Sequence, residues 1–261
     1  MGAIPHRPYF GTVDATPLFV CLFVETVRWL GDRRVYDELL PHALAALEWC
    51  DTRGDPDGDG FVEHTSLPGS PLRNKGWKDS ATSLCYRDGS PVELPAALVE
   101  VQAYVYAAKD GLARLSAELG DGALAERLGT EAAALRERFE AAFWLPAERC
   151  YAQALDAGKR PVDAVTSNAG HCLWAGIAAP EHATLLVERL LEPDMFTGWG
   201  IRTLSSSYPT YSPMSYHNGS VWPHDNALIA AGMAAYGHRE AAARVITAVL
   251  EAAGHFADDR L

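Results

Sequence analysis

PAALVEVQAYVYAAKDGLARLSAEL at residues 95–119 and DGALAERLGTEAAALRERFEAAF at residues 121–143 decide the fold class. In the second stretch Leu124, Leu128, Ala132, Leu135 and Phe139 recur every three or four positions, the signature of an amphipathic surface helix. The first is strongly apolar, and Gly120 ends it. Upstream, residues 16–30 form an apolar helix started by Thr16-Pro17, and residues 34–50 continue the period with a kink or restart at Pro41. Downstream, 167–178, 181–191, 223–236 and 239–254 are helix-compatible, and Cys150-Tyr-Ala-Gln-Ala-Leu155 reads as a strand or turn. About eight helices with almost no strand signal define an all-α chain, read as one domain over 1–261. Antiparallel helix pairs suit a toroid of αα-hairpins better than a bundle, because bundles rarely carry two irregular loops rich in Trp, His and Asp.

Composition excludes several partners. There are 22 Lys+Arg against 34 Asp+Glu, a net charge of -12. Lysines stand only at 75, 78, 109 and 159, so no basic stripe forms for nucleic acid or an anionic membrane. No apolar run reaches the ~18–20 residues that span a bilayer. The five cysteines include no C-x-x-C pair and sit among apolar neighbours, which suits buried free thiols. The first ten residues hold no apolar signal region, and the expected location is the cytoplasm.

Chemistry is expected in the two irregular stretches, 51–92 and 192–222. Asn74-Lys-Gly-Trp77-Lys-Asp79-Ser80 sets a carboxyl beside an indole. Asp79 is either a helix N-cap or a general acid whose pKa is raised by apolar walls. Pro213 to Asn226 packs His217, Asn218, Trp222, His224 and Asp225 into a short run, offering flat faces for sugar CH groups and partners for hydroxyls. The dull reading is a polar loop before a helix begun at Pro223. Asp55-Pro-Asp57-Gly-Asp59-Gly60-Phe-Val-Glu63 matches the start of a calcium loop, although its twelfth position is Ser66 and Glu63 would have to serve instead. A solvated acidic turn is the alternative. Glu100 and Gln102 lie in an apolar helix, where they face a polar cavity or bond neighbouring helices. Asp14 is a helix cap or a site residue. P-loop, G-x-G-x-x-G, H-E-x-x-H and G-x-S-x-G motifs are absent, and Gly219 and Pro223 spoil a His217–His224 zinc pair.

Taken together, Tyr9-Phe-Gly-Thr-Val-Asp14-Ala-Thr-Pro, the Asp55–Glu63 run, Asn74–Ser80, Leu98–Ala108, Thr166–His171, Gly198-Trp-Gly-Ile-Arg-Thr203 and Ser215–Asn226 resemble the bacterial amylo-α-1,6-glucosidase-like, glycogen-debranching-type glycoside hydrolases. The resemblance implies an (α/α)6 barrel and inverting hydrolysis of α-glucosidic bonds, without a required cofactor. It gives Asp79 the place of the general acid. It puts Asp14, Trp77, Glu100, Gln102, Trp199, Arg202, His217, Asn218 and Trp222 around an oligosaccharide or polysaccharide. Such a barrel has twelve helices, so the chain is expected to be incomplete, lacking N- and C-terminal parts of its own barrel. The family's likely base follows an Arg-Leu like Arg260-Leu261, so the chain is expected to lack it and to be weakly active or inactive; Glu100 and Asp225 are the in-chain candidates. The competing readings are a carbohydrate-binding pseudo-enzyme and another toroid enzyme, an epimerase or lyase.

Overall fold

A computed structural model describes residues 11–66 and 72–256. Tyr9, Phe10 and Arg260-Leu261 lie outside the described residues. The elements follow the hydrophobic period. Helix α1 (Ala15–Leu30) ends on left-handed Gly31, whose N–H donates to Val27 O at 2.9 Å. Helix α2 (Arg33–Asp51) starts on Asp32, which accepts from Arg34 N. Pro41 does not restart this helix. It sits inside α2 as one continuous element. Helices α3 (Val99–Glu118) and α4 (Gly122–Phe143) form the central hairpin, turned by Gly120 at φ 89° and capped by Asp121. The 167–178 segment divides into a 3-10 turn, Ser167–Gly170, and a short α5 (His171–Ala175). Helices α6 (Pro180–Leu190), α7 (Pro223–Ala235) and α8 (Arg239–Ala253) complete the described fold. Two two-residue antiparallel ladders are present. Strand β1 (Ala97–Leu98) pairs with β4 (Ala154–Leu155), and β2 (Trp144–Leu145) pairs with β3 (Cys150–Tyr151).

Helix α1 packs on α3, α3 on α5 and α5 on α7, while α2, α4 and α8 lie against their hairpin partners. The result is a helical (α/α) hairpin architecture with eight α-helices among the described residues. The two helices of the central hairpin differ as their sequences require. Helix α3 is buried on nearly every face, including Glu100, Gln102 and Lys109. Helix α4 buries one stripe, Leu128, Ala132, Leu135, Phe139 and Phe143. Lys109 is compensated by Asp51 of α2 at 2.7 Å and Glu131 of α4 at 2.9 Å, so three helices share one ion cluster. All five cysteines are free. No helix among the described residues is long and apolar enough to cross a membrane.

Helix α7 reaches α5 through Gly232. A Cβ there would lie 2.3 Å from Trp174 N and 2.5 Å from Leu173 C, both backbone atoms that cannot turn aside. Gly232→Ala therefore loses stability although helix propensity alone favours alanine by about 1 kcal/mol, since overpacking costs roughly 1–3 kcal/mol or more. Gly129→Ala on α4 meets nothing within 4 Å and gains instead. Urea midpoints that move in opposite directions for the two variants confirm this packing; equal gains refute it.

Candidate active site

Glycine and serine shape the 74–83 turn that carries Trp77. Gly76 packs where a Cβ would lie 2.5 Å from Leu98 Cδ1 and 3.2 Å from Glu100 Oε1, so a larger residue would have to displace the Leu98 side chain at the start of α3. Asn74 Nδ2 donates to Ser80 O and Ser83 Oγ, and Ser83 Oγ donates to Lys78 O. The turn is thereby fixed without a helix, so Asp79 is not an N-cap.

Trp77 stands at the centre of a ring cluster. Its indole stacks on His171 at 5.8 Å with an interplanar angle of 7°. It meets His217, Trp222 and His224 edge-on at 5.7, 5.8 and 5.0 Å. The Lys78 ammonium lies 5.0 Å from the ring centroid, a cation–π arrangement, and donates to Ser167 Oγ and Thr203 O. Trp77 Nε1 is buried with no hydrogen-bond partner among the described residues.

Beside and beneath these rings are charges removed from water. Glu100 is 1 % exposed, and burial raises its pKa; Asn168 lies beside it, yet Oε2 finds no partner among the described residues. Lys78 is fully enclosed, and burial pulls its ammonium down to about 8 against the pull of Asp225 and Glu100. His171 is held between the Tyr104 hydroxyl on Nδ1 and Asp225 Oδ1, 2.7 Å from Nε2. Burial drives the Asp225 pKa upward, but the His171 hydrogen bond and nearby cations outweigh it and hold the carboxyl below its ordinary value. Asp14 occupies the N-cap position of α1 with no side-chain capping bond, and burial raises its pKa.

Asp79 is placed differently from the sequence reading. Its side chain is 51 % exposed and its Oδ1 stands 4.0 Å from His217 Nδ1, so it has solvent on one side rather than apolar walls. His217 is itself buried, and burial and Lys78 push its pKa down to about 4. Its Nδ1 faces the Ser80 hydroxyl at 2.8 Å and accepts from Ser80 N, as a neutral ring can. Asn218 Nδ2 donates to Thr82 O, locking the 215–222 run to the Trp77 turn. Trp222 stacks on His217 at 5.5 Å. Arg202 leaves Nε buried without a partner among the described residues, with its guanidinium 5.4 Å from the Tyr211 ring.

Two expected sugar ligands are not brought into the cluster. The Gln102 amide is spent on backbone, accepting from Val62 N and donating to Val62 O and Leu98 O, so it fastens the acidic loop to α3. Trp199 is 45 % exposed and packs edge-on to His255, carried outward by Gly198 and Gly200 at φ 94° and 140°. In contrast, Lys78, Tyr104, His171 and Asp225 join the site. Tyr104 sits one turn after Glu100 on α3, the one sequence signal that could have found it. A cleft of about 650 Å³ is lined by Thr12, Thr16, Arg53, Glu63, His64 and Lys75 among others, and by none of the side chains of the Trp77 cluster. The carboxylates of Asp55, Asp57 and Asp59 converge within 4.8 Å, the one such group among the described residues.

The family model for the mannosylglycerate hydrolase MGH1-like glycoside hydrolase domain matches residues 12–259. The chain belongs to this family. Its fold is similar to a GH63 mannosylglycerate hydrolase from Thermus thermophilus in complex with glucose. The TM-score is 0.73 at 20% identity, over 91% of this chain and 66% of that one. It is also similar to a sialidase (TM-score 0.70, 13% identity, 86% and 21% of the two chains) and to the neutral trehalase of Saccharomyces cerevisiae (0.54, 18%, 67% and 34%). The MGH1-like domain therefore spans about two thirds or less of the length of each of these structures. No curated protein gives a significant sequence match.

His64 supplies a pH test. It is 2 % exposed, its Nδ1 faces Ala96 O at 3.0 Å, and burial lowers its pKa to about 4. Its unfolded value is near 6.5. The stability it contributes is thus complete above about pH 6.5 and is lost as pH falls toward the folded value, at up to about 1.4 kcal/mol per pH unit. Urea unfolding at pH 7 and pH 5 is expected to show a smaller difference in His64→Gln than in the wild type; an unchanged difference contradicts the assignment.

Proposed function

We propose that this chain forms the sugar-binding and proton-delivering part of a glycoside hydrolase acting on α-glycosidic bonds. The observation that carries the reading is the Trp77 indole, ringed by His171, His217 and Trp222 with its Nε1 unpartnered, beside the buried Glu100. An aromatic face with unspent donors and acceptors next to it suits a pyranose, whose CH groups stack while its hydroxyls bond. Asp14, Trp77, Glu100, Arg202, His217, Asn218 and Trp222 line the sugar subsite in this account, with Gln102 and Trp199 outside it.

Asp79 is the proton donor. Its half exposure leaves it reachable by the departing oxygen. Inversion also needs a base set back from the acid to admit water. Of the in-chain candidates, Glu100 and Asp225 each keep one oxygen without a partner among the described residues, and Asp225 bonds His171 through the other.

A branched glucan, as for amylo-α-1,6-glucosidases, and a small glycoside with an acidic aglycone both remain within this chemistry. Arg53 and Lys75, which with Glu63 line a separate cleft, favour the acidic aglycone, of which mannosylglycerate, the substrate in the name of the Thermus relative, is an example. The cytoplasmic reading rests on the five free thiols.

The test is monosaccharide release from mannosylglycerate, trehalose, maltose and isomaltose. Asp79→Asn is expected to lower turnover by ~10²–10⁴ while sugar binding persists, and Trp77→Ala to weaken binding itself. Full hydrolysis by Asp79→Asn refutes the acid, and sugar binding without turnover by the wild type favours the non-catalytic carbohydrate-binding role.

A further inference from the structure

The Asp55–Glu63 loop has the spacing of a calcium loop, with Gly60 at the sharp turn (φ 89°). Such a loop gathers carboxylates that repel one another unless a cation sits among them. The structure supplies one from far along the chain. Lys159 Nζ lies 2.7 Å from Asp57 Oδ2 and 2.6 Å from Asp59 Oδ2, and it is hydrogen-bonded to Glu63 Oε1.

We propose that Lys159 is the built-in cation of this loop: its ammonium takes the seat that calcium takes in loops of this pattern, and the loop closes without metal.

Three independent features support the assignment. The first is the division of labour among carboxylate oxygens. Asp57 Oδ1 and Asp59 Oδ1 accept from backbone N–H groups of Asp59 and Phe61, while their Oδ2 atoms both meet Lys159. Asp55 spends both oxygens on the N–H groups of Gly58, Asp59 and Gly60. The second is Glu63, 7 % exposed, whose carboxylate would be a nearly buried charge without Lys159. The third is the turn that presents the lysine. Lys159 adopts φ 61°, a conformation that side-chain-bearing residues rarely hold. Asp156 enforces it, accepting Lys159 N on its carbonyl and Gly158 N and Arg160 N on its carboxylate. A second cation braces the loop from α4, where the Arg138 guanidinium lies against Gly60, within 2.6 Å of where a Cβ would stand.

The electrostatics agree at Lys159 and Asp57, while at Glu63 burial outweighs the Lys159 hydrogen bond and keeps the carboxyl above its usual value. Partial burial pulls the Lys159 ammonium down, but its three carboxylate partners outweigh it and hold it well above the ordinary lysine value. The Lys159 hydrogen bond likewise holds the Asp57 carboxyl below its usual range. Because Val62 is fastened to Gln102 of α3, the lysine ties the 156–161 turn through the loop to the helix that carries Glu100.

The experiment is thermal unfolding and calorimetric titration with calcium chloride, on the full chain and on Lys159→Met. The wild type is expected to melt at the same temperature in chelator and in roughly millimolar calcium, the weak end of such loops, with no binding heat. Lys159→Met is expected to melt lower in chelator, to recover in calcium, and to bind calcium at least about tenfold more tightly than the wild type. Calcium binding or a calcium-raised melting temperature in the wild type overturns the proposal, and that arm needs no variant to fold. An unchanged melting temperature for Lys159→Met in chelator overturns it, as does a loss that calcium does not restore. These readouts are independent of sugar hydrolysis.

Discussion

Lys78, Glu100, His171 and Asp225 are withdrawn from water in one cluster, and the site depends on how they are compensated. Buried charges gain little for folding, and an apolar core of equal volume does as well or better. Here compensation is uneven. His171 is bonded on both nitrogens, and Lys78 has two hydrogen-bond acceptors. Glu100 Oε2, Asp225 Oδ2 and Trp77 Nε1 have none among the described residues. A cluster of partly compensated polar groups is costly as structure, and this is why the proposed sugar subsite is set there.

The acidic loop makes the contrast. It holds as many carboxylates as the site, but its charge is met inside the chain by Lys159. One acidic group is met by a lysine, while Glu100 and Asp225 are buried beside an aromatic face, each with one oxygen unpartnered among the described residues. The two are linked through Gln102 and Glu100, which share α3 two residues apart. Helix α3 thus serves both as the most buried element of the hairpin core and as the support of the site.

Helical period made the hairpins legible, because burying one face at 3.6 residues per turn leaves a direct trace in sequence. Of the kink or restart read at Pro41, the restart does not occur, since the proline faces solvent within one continuous helix. The aromatic and polar residues of the 213–226 run were readable as a group, and Trp77, His217 and Trp222 do meet. What sequence could not give was enclosure. Asp79 borders solvent because its turn is held by Asn74 and Ser83, and Trp199 swings out because two glycines with positive φ flank it. Lys159 was invisible for another reason: 96 residues separate it from Glu63, and no local pattern encodes such a pairing.

The central claim is that a pyranose ring lies against Trp77 with its hydroxyls on the unspent polar atoms around it. Crystallography of the chain soaked with a monosaccharide such as glucose or mannose tests this most directly. The account predicts one ring stacked on the indole, with hydroxyls within hydrogen-bond distance of Glu100 Oε2 and Trp77 Nε1 and the anomeric carbon turned toward Asp79. A sugar bound elsewhere on the surface, with those atoms taken up by ordered water alone, would contradict it.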